Sequence, residues 1–266
     1  MVTEALRVEA LEKYFPPAVS GWRALLHPLA KLTSPALRGV SFSVQAGEVL
    51  ALVGANGAGK STLLRILTTL LLPTRGRAWV GGADVEREPA RVLRQIGFHG
   101  GSDASFYARL TAQENLKLFA TLNNIHSTDA ACRIAHLSEL LHLGPVMNQQ
   151  VRTLSTGTVH RLGLARALLH RPSVVILDEP TRSLDPLAAA EFRRFLRDEV
   201  VRGQGATVLF ASHTLAEVEQ LAARVALLHS GRLLACEPPD SLRVRAGGGT
   251  LEQAIETLLR RAGADA

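Results

Sequence analysis

Cysteine is nearly missing from this chain of 266 residues, which contains two, Cys132 and Cys236. They lie far apart and show no metal-ligand spacing, so we interpret them as buried or incidental thiols in a reducing compartment. Long hydrophobic runs are missing as well. No apolar run reaches the ~18 residues that a membrane-spanning helix needs, which predicts that no segment crosses a bilayer. Residues 1–4 are polar, so we also expect no signal peptide.

Aromatic and charged residues are sparse. Aromatic residues make up 5% of the chain and charged residues 20%, whereas hydrophobic residues reach 47%. This composition argues against a disordered chain and predicts a sizeable core. The net charge is +6, but the arginines are scattered rather than clustered. The charge is therefore weak support for nucleic acid or an anionic membrane surface as a partner.

A glycine-rich stretch at residues 54–61, GANGAGKS, carries the first chemical signal, because it fits the phosphate-binding P-loop pattern G-x-x-x-x-G-K-[ST]. An apolar segment of strand length precedes it, and a helical pattern follows at residues 62–67. Glycines let backbone N–H groups approach phosphate oxygens, and a helix N-terminus favours an anion. Lys60 can reach the β- and γ-phosphates, and Ser61 can hold Mg²⁺. The predicted nucleotide-binding residues of this stretch are Gly54, Asn56, Gly57, Gly59, Lys60, Ser61 and Thr62.

Two adjacent acids follow a second apolar segment. Residues 174–177 form an unbroken apolar run, typical of a strand buried on both faces of a parallel sheet, and Asp178 and Glu179 come next. Open α/β sheets bind ligands at this end of their strands. Asp178 would hold Mg²⁺ there, and Glu179 would polarise the attacking water. A solvated strand end is the alternative interpretation, but a buried strand in a P-loop chain favours the functional one.

The order of predicted elements indicates the fold class. Alternating residues at 6–10 and 40–44 predict strands before the P-loop. The pattern is mainly helical from about residue 88 to 170, and buried strands return at 173–177 and 207–211. A hairpin and a helix at residues 250–261 follow. This layout predicts an α/β fold, with a P-loop NTPase core, an antiparallel β-subdomain and a helical insertion.

Four further motifs resemble those of ATP-binding-cassette (ABC) ATPases. Residues 154–158, LSTGT, resemble the family's signature, and residues 176–181, ILDEPT, resemble its Walker B segment. Residues 183–186, SLDP, resemble its D-loop, and residues 211–213, ASH, resemble the segment with the switch histidine. The resemblance covers about residues 5–235. Several motifs in the family's order are more specific than a P-loop alone.

This resemblance implies a head-to-tail dimer with ATP between its two subunits. Ser155 and Gly157 would bind the γ-phosphate that the P-loop of the other subunit holds. Asp185 would couple the two sites, and His213 would contact the γ-phosphate and hold the attacking geometry. The implied reaction is ATP hydrolysis.

The aromatic residue that stacks on adenine in this family aligns with Phe15. Tyr14 is the alternative, and either residue could belong to the core instead. The resemblance and the motifs together predict ATP and Mg²⁺ as cofactors, with Ser61 and Asp178 as metal ligands. The predicted catalytic residues are Lys60, Glu179 and His213.

Two departures from the family concern the site. The signature has Thr156 and Thr158 where the family has glycine and glutamine. The position of the family's Q-loop glutamine falls on Gly101. Ser102 or Asp103 could supply the missing oxygen ligand, or the loop could lack the contact; both interpretations stay open.

A third departure is an extra segment at residues 16–35. It resembles inserts of exporter-like ATPases that pair with ABC-2-type membrane subunits. Trp22, Leu25 and Leu29 recur there at helical spacing, with Pro28 interrupting. This apolar face could lie on a membrane surface or a partner, or it could pack on the chain's own β-subdomain.

The predicted organisation is an ABC ATPase domain at residues 1–235, with the helical insertion at about residues 99–160, and a C-terminal extension with a terminal helix at residues 236–266. The resemblance implies the ATP-hydrolysing subunit of a membrane exporter. Its partners would be separate transmembrane permease subunits and a second ATPase subunit. It would be peripheral at the cytoplasmic face of the cell's inner membrane, held by its partners, with no nucleic acid expected. The alternative is a soluble ABC ATPase that acts on ribosomes or DNA.

Overall fold

The computed structural model describes residues 4–15, 34–100 and 106–264. Residues 16–33 of the predicted extra segment, and the loop positions Gly101, Ser102 and Asp103, lie outside these described residues. Two β-sheets organise the fold. Their strands are β1 (Glu4–Phe15), β2 (Ser34–Gln45), β3 (Val49–Val53), β4 (Arg75–Val80), β5 (Ala83–Asp84), β6 (Ile96–His99), β7 (Val174–Asp178), β8 (Thr207–Ala211), β9 (Arg224–His229) and β10 (Arg232–Glu237).

The helices cover the sheets and connect their strands. They are α1 (Lys60–Leu67), α2 (Pro89–Gln95), α3 (Ala112–Leu122), α4 (Ser127–Leu140), α5 (Thr156–Leu168), α6 (Pro186–Phe195), α7 (Leu215–Leu221), α8 (Pro239–Ala246) and α9 (Leu251–Ala264). Helix α6 continues as a π-helical segment at Leu196–Gly203. Within the described ranges, no helix combines the length and the apolar character needed to cross a membrane.

The larger sheet has six strands in the order β10-β9-β3-β8-β7-β6. Strand β3 runs parallel to β8 and β9, and β7 runs parallel to β8 and β6. All five residues of β3 are buried, as its uninterrupted apolar sequence requires. Because β3, β7 and β8 are parallel neighbours, the loops that leave their carboxyl ends meet at one edge of the sheet. That edge is where an open α/β sheet places a ligand.

The smaller sheet is antiparallel, in the order β2-β1-β4-β5. Strand β1 buries Leu6 and Val8, and these side chains share one core with Leu50 and Leu52 of β3. The intervening residues of β3 face the helices instead, with Ala51 in a second core. The period-2 alternation of a strand therefore builds two cores on opposite faces of the larger sheet.

The insertion between β6 and α5 contains α3 and α4. Helix α3 begins with a capping box, in which Thr111 accepts from the backbone N–H of Glu114 and the Glu114 carboxylate accepts from that of Thr111. At the end of the chain, α9 buries Leu251, Ala254, Ile255 and Leu258. The predicted α/β fold with its antiparallel subdomain is confirmed, and the predicted terminal helix at residues 250–261 corresponds to α9. Helix α8 was not predicted.

Candidate functional site

Three loops meet at the edge of the larger sheet: the P-loop after β3, the acidic loop after β7 and the histidine turn after β8. Together with β2 they line a cavity of about 720 Å³. The described lining residues are Ala36, Asn56, Gly57, Gly59, Lys60, Ser61, Thr62, Asp178, Glu179, Arg182 and His213. The larger sheet thus brings the predicted P-loop, Walker B and switch-histidine residues into one space.

Two glycines of the P-loop, Gly54 and Gly59, are required by the packing of the loop. A Cβ atom at Gly54 would lie 2.3 Å from the carbonyl oxygen of Leu228. A Cβ atom at Gly59 would lie 2.5 Å from the carbonyl oxygen of Ala36, and its φ of +106° is in the left-handed region. Gly57 has a φ of +81° and open space around it, on the cavity side. Packing therefore requires glycine at positions 54 and 59, whereas at position 57 it is the positive φ that favours glycine.

Lys60 is the first residue of α1 and is 7% exposed. Its ammonium group donates to the carbonyl oxygens of Gly54 at 2.6 Å and Ala55 at 3.1 Å. Burial lowers the pKa of Lys60, and the nearby Glu179 and Asp178 carboxylates oppose that shift. The ammonium group therefore stabilises the P-loop through these two hydrogen bonds. It also lies at the wall of the cavity, where a phosphate oxygen can replace one of the carbonyl oxygens as its acceptor.

Ser61 and Asp178 join the P-loop to the acidic loop. The Ser61 hydroxyl donates to Asp178 Oδ2 at 3.0 Å. Mg²⁺ in nucleotide sites takes one or two oxygen ligands from the protein and the rest from phosphates and water. Two such oxygens lie side by side at the cavity wall, so the donor set fits Mg²⁺.

Glu179 and His213 lie next to each other at the wall of the cavity. The His213 Nε2 atom lies 3.3 Å from Glu179 Oε1, and the Glu179 side chain is 22% exposed. Glu179 has a φ of +53°, which is rare for a side chain of this kind. Its backbone N–H donates to the carbonyl oxygen of Ala211 at the end of β8 at 2.9 Å, which stabilises this conformation. Backbone strain of this sort is typical of functional sites.

The signature residues lie elsewhere. Ser155 caps α5, accepting from the Thr158 backbone N–H at 3.2 Å, and its hydroxyl lies 2.9 Å from that of Thr158. The family departure at Thr158 thus supports the cap. Gly157 lies against Ser183, whose Cβ would be 3.7 Å from a Cβ built at Gly157, an ordinary contact. Among the described residues, neither Ser155 nor Gly157 lines the cavity.

Asp185 caps the next helix and likewise does not line the cavity, as far as the described residues show. Its carboxylate accepts from the backbone N–H groups of Leu187 and Ala188 at 3.0 Å each. The bond from Ala188 is the main cause that lowers the pKa of Asp185. Asp185 and the signature residues therefore form a second region, on the surface of the chain and outside the P-loop cavity.

Phe15 ends strand β1 and is 37% exposed, with the Lys13 ammonium group 5.4 Å from the ring centroid. Among the described residues it does not line the cavity, whereas Ala36 of the paired strand β2 does. Adenine stacking on Phe15, or on Tyr14, stays a prediction.

Sequence reasoning missed two lining residues, Ala36 and Arg182. Arg182 lies between the two motifs ILDEPT and SLDP, and its position in that loop was the available signal. Ala36 gave no signal, because β2 reaches the P-loop only through the packing of the two sheets. Arg182 adds an exposed guanidinium group to the wall that contains Glu179 and His213.

The chain is similar to several known proteins. The family model described as ABC transporter matches residues 37–182. The chain is 37% identical over 199 residues to the ABC transporter ATP-binding protein NatA of Bacillus subtilis, covering 75% of this chain and 80% of that protein. It is 40% identical over 228 residues to the daunorubicin resistance ATP-binding protein DrrA3 of Streptomyces coeruleorubidus, covering 86% of this chain and 70% of that protein.

A solved structure described as the ATP-binding subunit of an ABC transporter superposes with a TM-score of 0.81 and 27% identity, covering 96% of this chain and 99% of that one. The family model spans β2 to the loop after β7, and therefore includes the P-loop and the acidic loop of the cavity. The chain belongs to the ABC transporter family, and it is an ATP-binding-cassette ATPase.

Proposed function

We propose that this chain is the ATP-hydrolysing subunit of a membrane exporter and that the cavity of about 720 Å³ is its nucleotide site. One observation carries the proposal: Lys60, Ser61, Asp178, Glu179 and His213, from three separate loops, line the same cavity. A phosphate-binding loop, a pair of metal-binding oxygens and a carboxylate with a neighbouring histidine are the parts that phosphoryl transfer to water needs.

In the proposed reaction, the P-loop backbone and Lys60 hold the β- and γ-phosphates. Glu179 accepts a proton from water as the water oxygen bonds to the γ-phosphorus. The bond from that phosphorus to the β–γ bridging oxygen breaks, which leaves ADP and inorganic phosphate. His213 lies 3.3 Å from Glu179 and is placed to contact the γ-phosphate and the attacking water. Mg²⁺ bound at Ser61 and Asp178 would neutralise phosphate charge.

The signature region supports a dimer. Packing within the chain explains why Gly54 and Gly59 are glycine, because a Cβ atom there would lie 2.3 and 2.5 Å from backbone atoms. Packing does not explain Gly157 in this way. The described atom nearest to a Cβ at that position lies 3.7 Å away, and the φ of Gly157 is not positive. It lies in the first turn of α5, where backbone N–H groups attract anions. A γ-phosphate held by the P-loop of a second subunit accounts for a glycine at this half-buried position.

The names of the relatives favour transport. DrrA3 is described as a daunorubicin resistance protein and NatA as an ABC transporter protein. From these names we infer that the chain works in an exporter with separate permease subunits, at the cytoplasmic face of the membrane. The alternative, action on ribosomes or DNA, is not favoured by these relatives. The domain boundaries at residues 1–235 and 236–266, with a helical insertion at about residues 99–160 that transmits motion to the permease, remain part of the proposal.

The dimer is tested by sedimentation of Glu179→Gln, which slows hydrolysis so that bound ATP persists. We expect a monomer without ATP and a dimer with ATP and Mg²⁺. Adding Gly157→Glu should keep the chain monomeric while each P-loop still binds ATP. Gly144→Glu is the matched control, because Gly144 is exposed and no described atom lies within 4 Å of a Cβ there. A Gly157→Glu variant that still dimerises would contradict a nucleotide site shared between the P-loop of one subunit and the signature region of the other.

Transport is tested by purification of the tagged chain from membranes of its own cells. We expect a multi-span membrane protein to co-purify with it. Association with ribosomes or DNA in place of a membrane protein would overturn the exporter proposal, while leaving the ATPase and its dimer intact.

A further inference from the structure

A buried carboxyl group lies close behind the nucleotide cavity. Glu217 belongs to α7, four residues after His213, and is 1% exposed. Glutamate is almost never fully buried unless it is paired. Among residues 4–15, 34–100 and 106–264, none forms an ion pair with Glu217, so its cost of burial is offset in another way.

Hydrogen bonds connect Glu217 to the residues on both sides of His213. The Ser212 hydroxyl donates to Glu217 Oε2 at 2.7 Å, and Ser212 is itself 1% exposed. The backbone N–H of Thr214 donates to the Ser212 hydroxyl oxygen at 3.0 Å. The Glu217 backbone N–H donates in turn to the Thr214 carbonyl oxygen at 3.0 Å. These bonds close a ring around the turn that carries His213.

The same turn is anchored to the strands that build the cavity. Ser212 directly follows β8, whose last residue, Ala211, accepts from the Glu179 backbone N–H at 2.9 Å. The Ser212 N–H also points to the Leu52 carbonyl oxygen of β3, at a long 3.4 Å. Because His213 Nε2 lies 3.3 Å from Glu179 Oε1, any displacement of the turn changes the contact between the two predicted catalytic groups.

Two charged groups act on Glu217: Arg193 of α6 and Glu179 of the loop after β7. Burial raises the pKa of Glu217, the nearby hydroxyl groups of Ser212 and Thr181 and the charge of Arg193 oppose the shift, and the Glu179 carboxylate adds to it. The Oε1 atom is buried with no hydrogen-bond partner among the described residues. Among the described residues, Ser212 makes the closest hydrogen bond to this carboxyl group, and the carboxyl group in turn fixes the position of the Ser212 hydroxyl.

We propose that Glu217 is a positioning residue for ATP hydrolysis, because its carboxyl group holds the Ser212 hydroxyl and so fixes the turn that presents His213 to Glu179 and to the γ-phosphate. This inference rests on the proposed role of His213 in the nucleotide cavity. It assigns Glu217 no contact with ATP, so removing its carboxyl group should change the turnover number and leave nucleotide affinity unchanged.

The test compares the full-length variants Glu217→Ala, Glu217→Gln and Ser212→Ala by steady-state ATPase kinetics and ATP binding. We expect Glu217→Ala and Ser212→Ala to lower kcat by about tenfold or more, with ATP binding unchanged, since small misplacements of catalytic groups cost rates of this order. Glu217→Gln should restore kcat to near the wild-type value, because its amide oxygen still accepts from Ser212. Glu219→Ala is the matched control, since Glu219 is exposed on the same helix and pairs with Arg243.

A double-mutant cycle with His213→Ala separates positioning from general loss of stability. If Glu217 acts through His213, Glu217→Ala should have no further effect in the His213→Ala background. A wild-type kcat for Glu217→Ala, or a loss that adds in full to that of His213→Ala, would overturn the inference. If Glu217→Ala does not fold, the same cycle with Ser212→Ala decides. A wild-type kcat for His213→Ala would instead overturn the proposed role of His213.

Discussion

The P-loop region and the signature region both contain glycines next to a helix N-terminus, but the reasons for them differ. In the P-loop, a Cβ atom at Gly54 or Gly59 would collide with backbone atoms of β9 or β2. In the signature, a Cβ atom at Gly157 would make an ordinary contact of 3.7 Å with Ser183. The first region is complete inside the chain, and its residues line one cavity. The second region is built and capped by its own side chains but faces outward, as half of a site would.

The largest expected effect concerns the complete region. Glu179→Gln removes the carboxylate that accepts the proton of the attacking water in the proposed mechanism, so the ATPase rate should fall by at least about 10²-fold. ATP affinity should change little, because the proposed mechanism assigns the binding of the phosphates to the P-loop and Lys60. Phosphate release and isothermal titration with ATP measure the two quantities. A variant with the wild-type rate would remove Glu179 from the mechanism.

The second prediction sets the two kinds of glycine against each other. Gly54→Ala should lower the free energy of unfolding by about 1–3 kcal/mol, because the added methyl group has no space in a buried loop. Gly157→Ala should melt at the wild-type temperature, because its methyl group makes an ordinary contact. It should nevertheless lose ATPase activity, because the methyl group would obstruct the phosphate of the second subunit in the proposed dimer. Thermal melts monitored by circular dichroism, paired with ATPase assays, show both. Equal destabilisation by both variants would mean that Gly157 is a packing glycine.

The third prediction concerns Arg182, which lies between the two regions in sequence but lines the P-loop cavity. We expect Arg182→Ala to raise the KM for ATP by about tenfold, since the loss of a charge-assisted hydrogen bond between this guanidinium group and a phosphate would weaken binding by about that factor. Arg91→Ala is the control, because Arg91 is exposed on α2 and pairs with Glu88. An unchanged KM would show that the Arg182 guanidinium group does not contact the nucleotide.

The smallest expected effect concerns the cap at Asp185. Asp185→Ala should lower the melting temperature slightly at neutral pH, because two backbone N–H groups of α6 lose their acceptor. The pKa of Asp185 is lowered in the folded chain, so its contribution is present above the unfolded pKa and is lost as the pH falls through the folded pKa. The difference in melting temperature between wild type and variant should therefore shrink in acid. A difference that grows in acid would contradict this assignment.

Local pattern was sufficient for much of the fold. The run of residues 48–67 predicted strand, loop and helix, and the structure places β3, the P-loop and α1 there. The hairpin at the end of the core was predicted for the same reason, since its residues contact each other over short chain distances. Helix α8 was missed, because Pro239–Ala246 has little apolar periodicity and buries Leu242 as its main contact with the core.

The sequence by itself determined that a P-loop, an acidic strand end and a signature-like helix start exist, because each is a short motif whose residues are chain neighbours. It did not determine that Arg182 and Ala36 line the cavity with them, or that Glu217 supports the turn of His213. Those contacts depend on β3, β7 and β8 lying side by side and on β2 packing above the loop, which is a matter of sheet order. The tertiary structure also decided that no described atom lies close enough to Gly157 to require glycine there. Only the space around a residue in the folded chain can distinguish a glycine that packing requires from one that packing does not require.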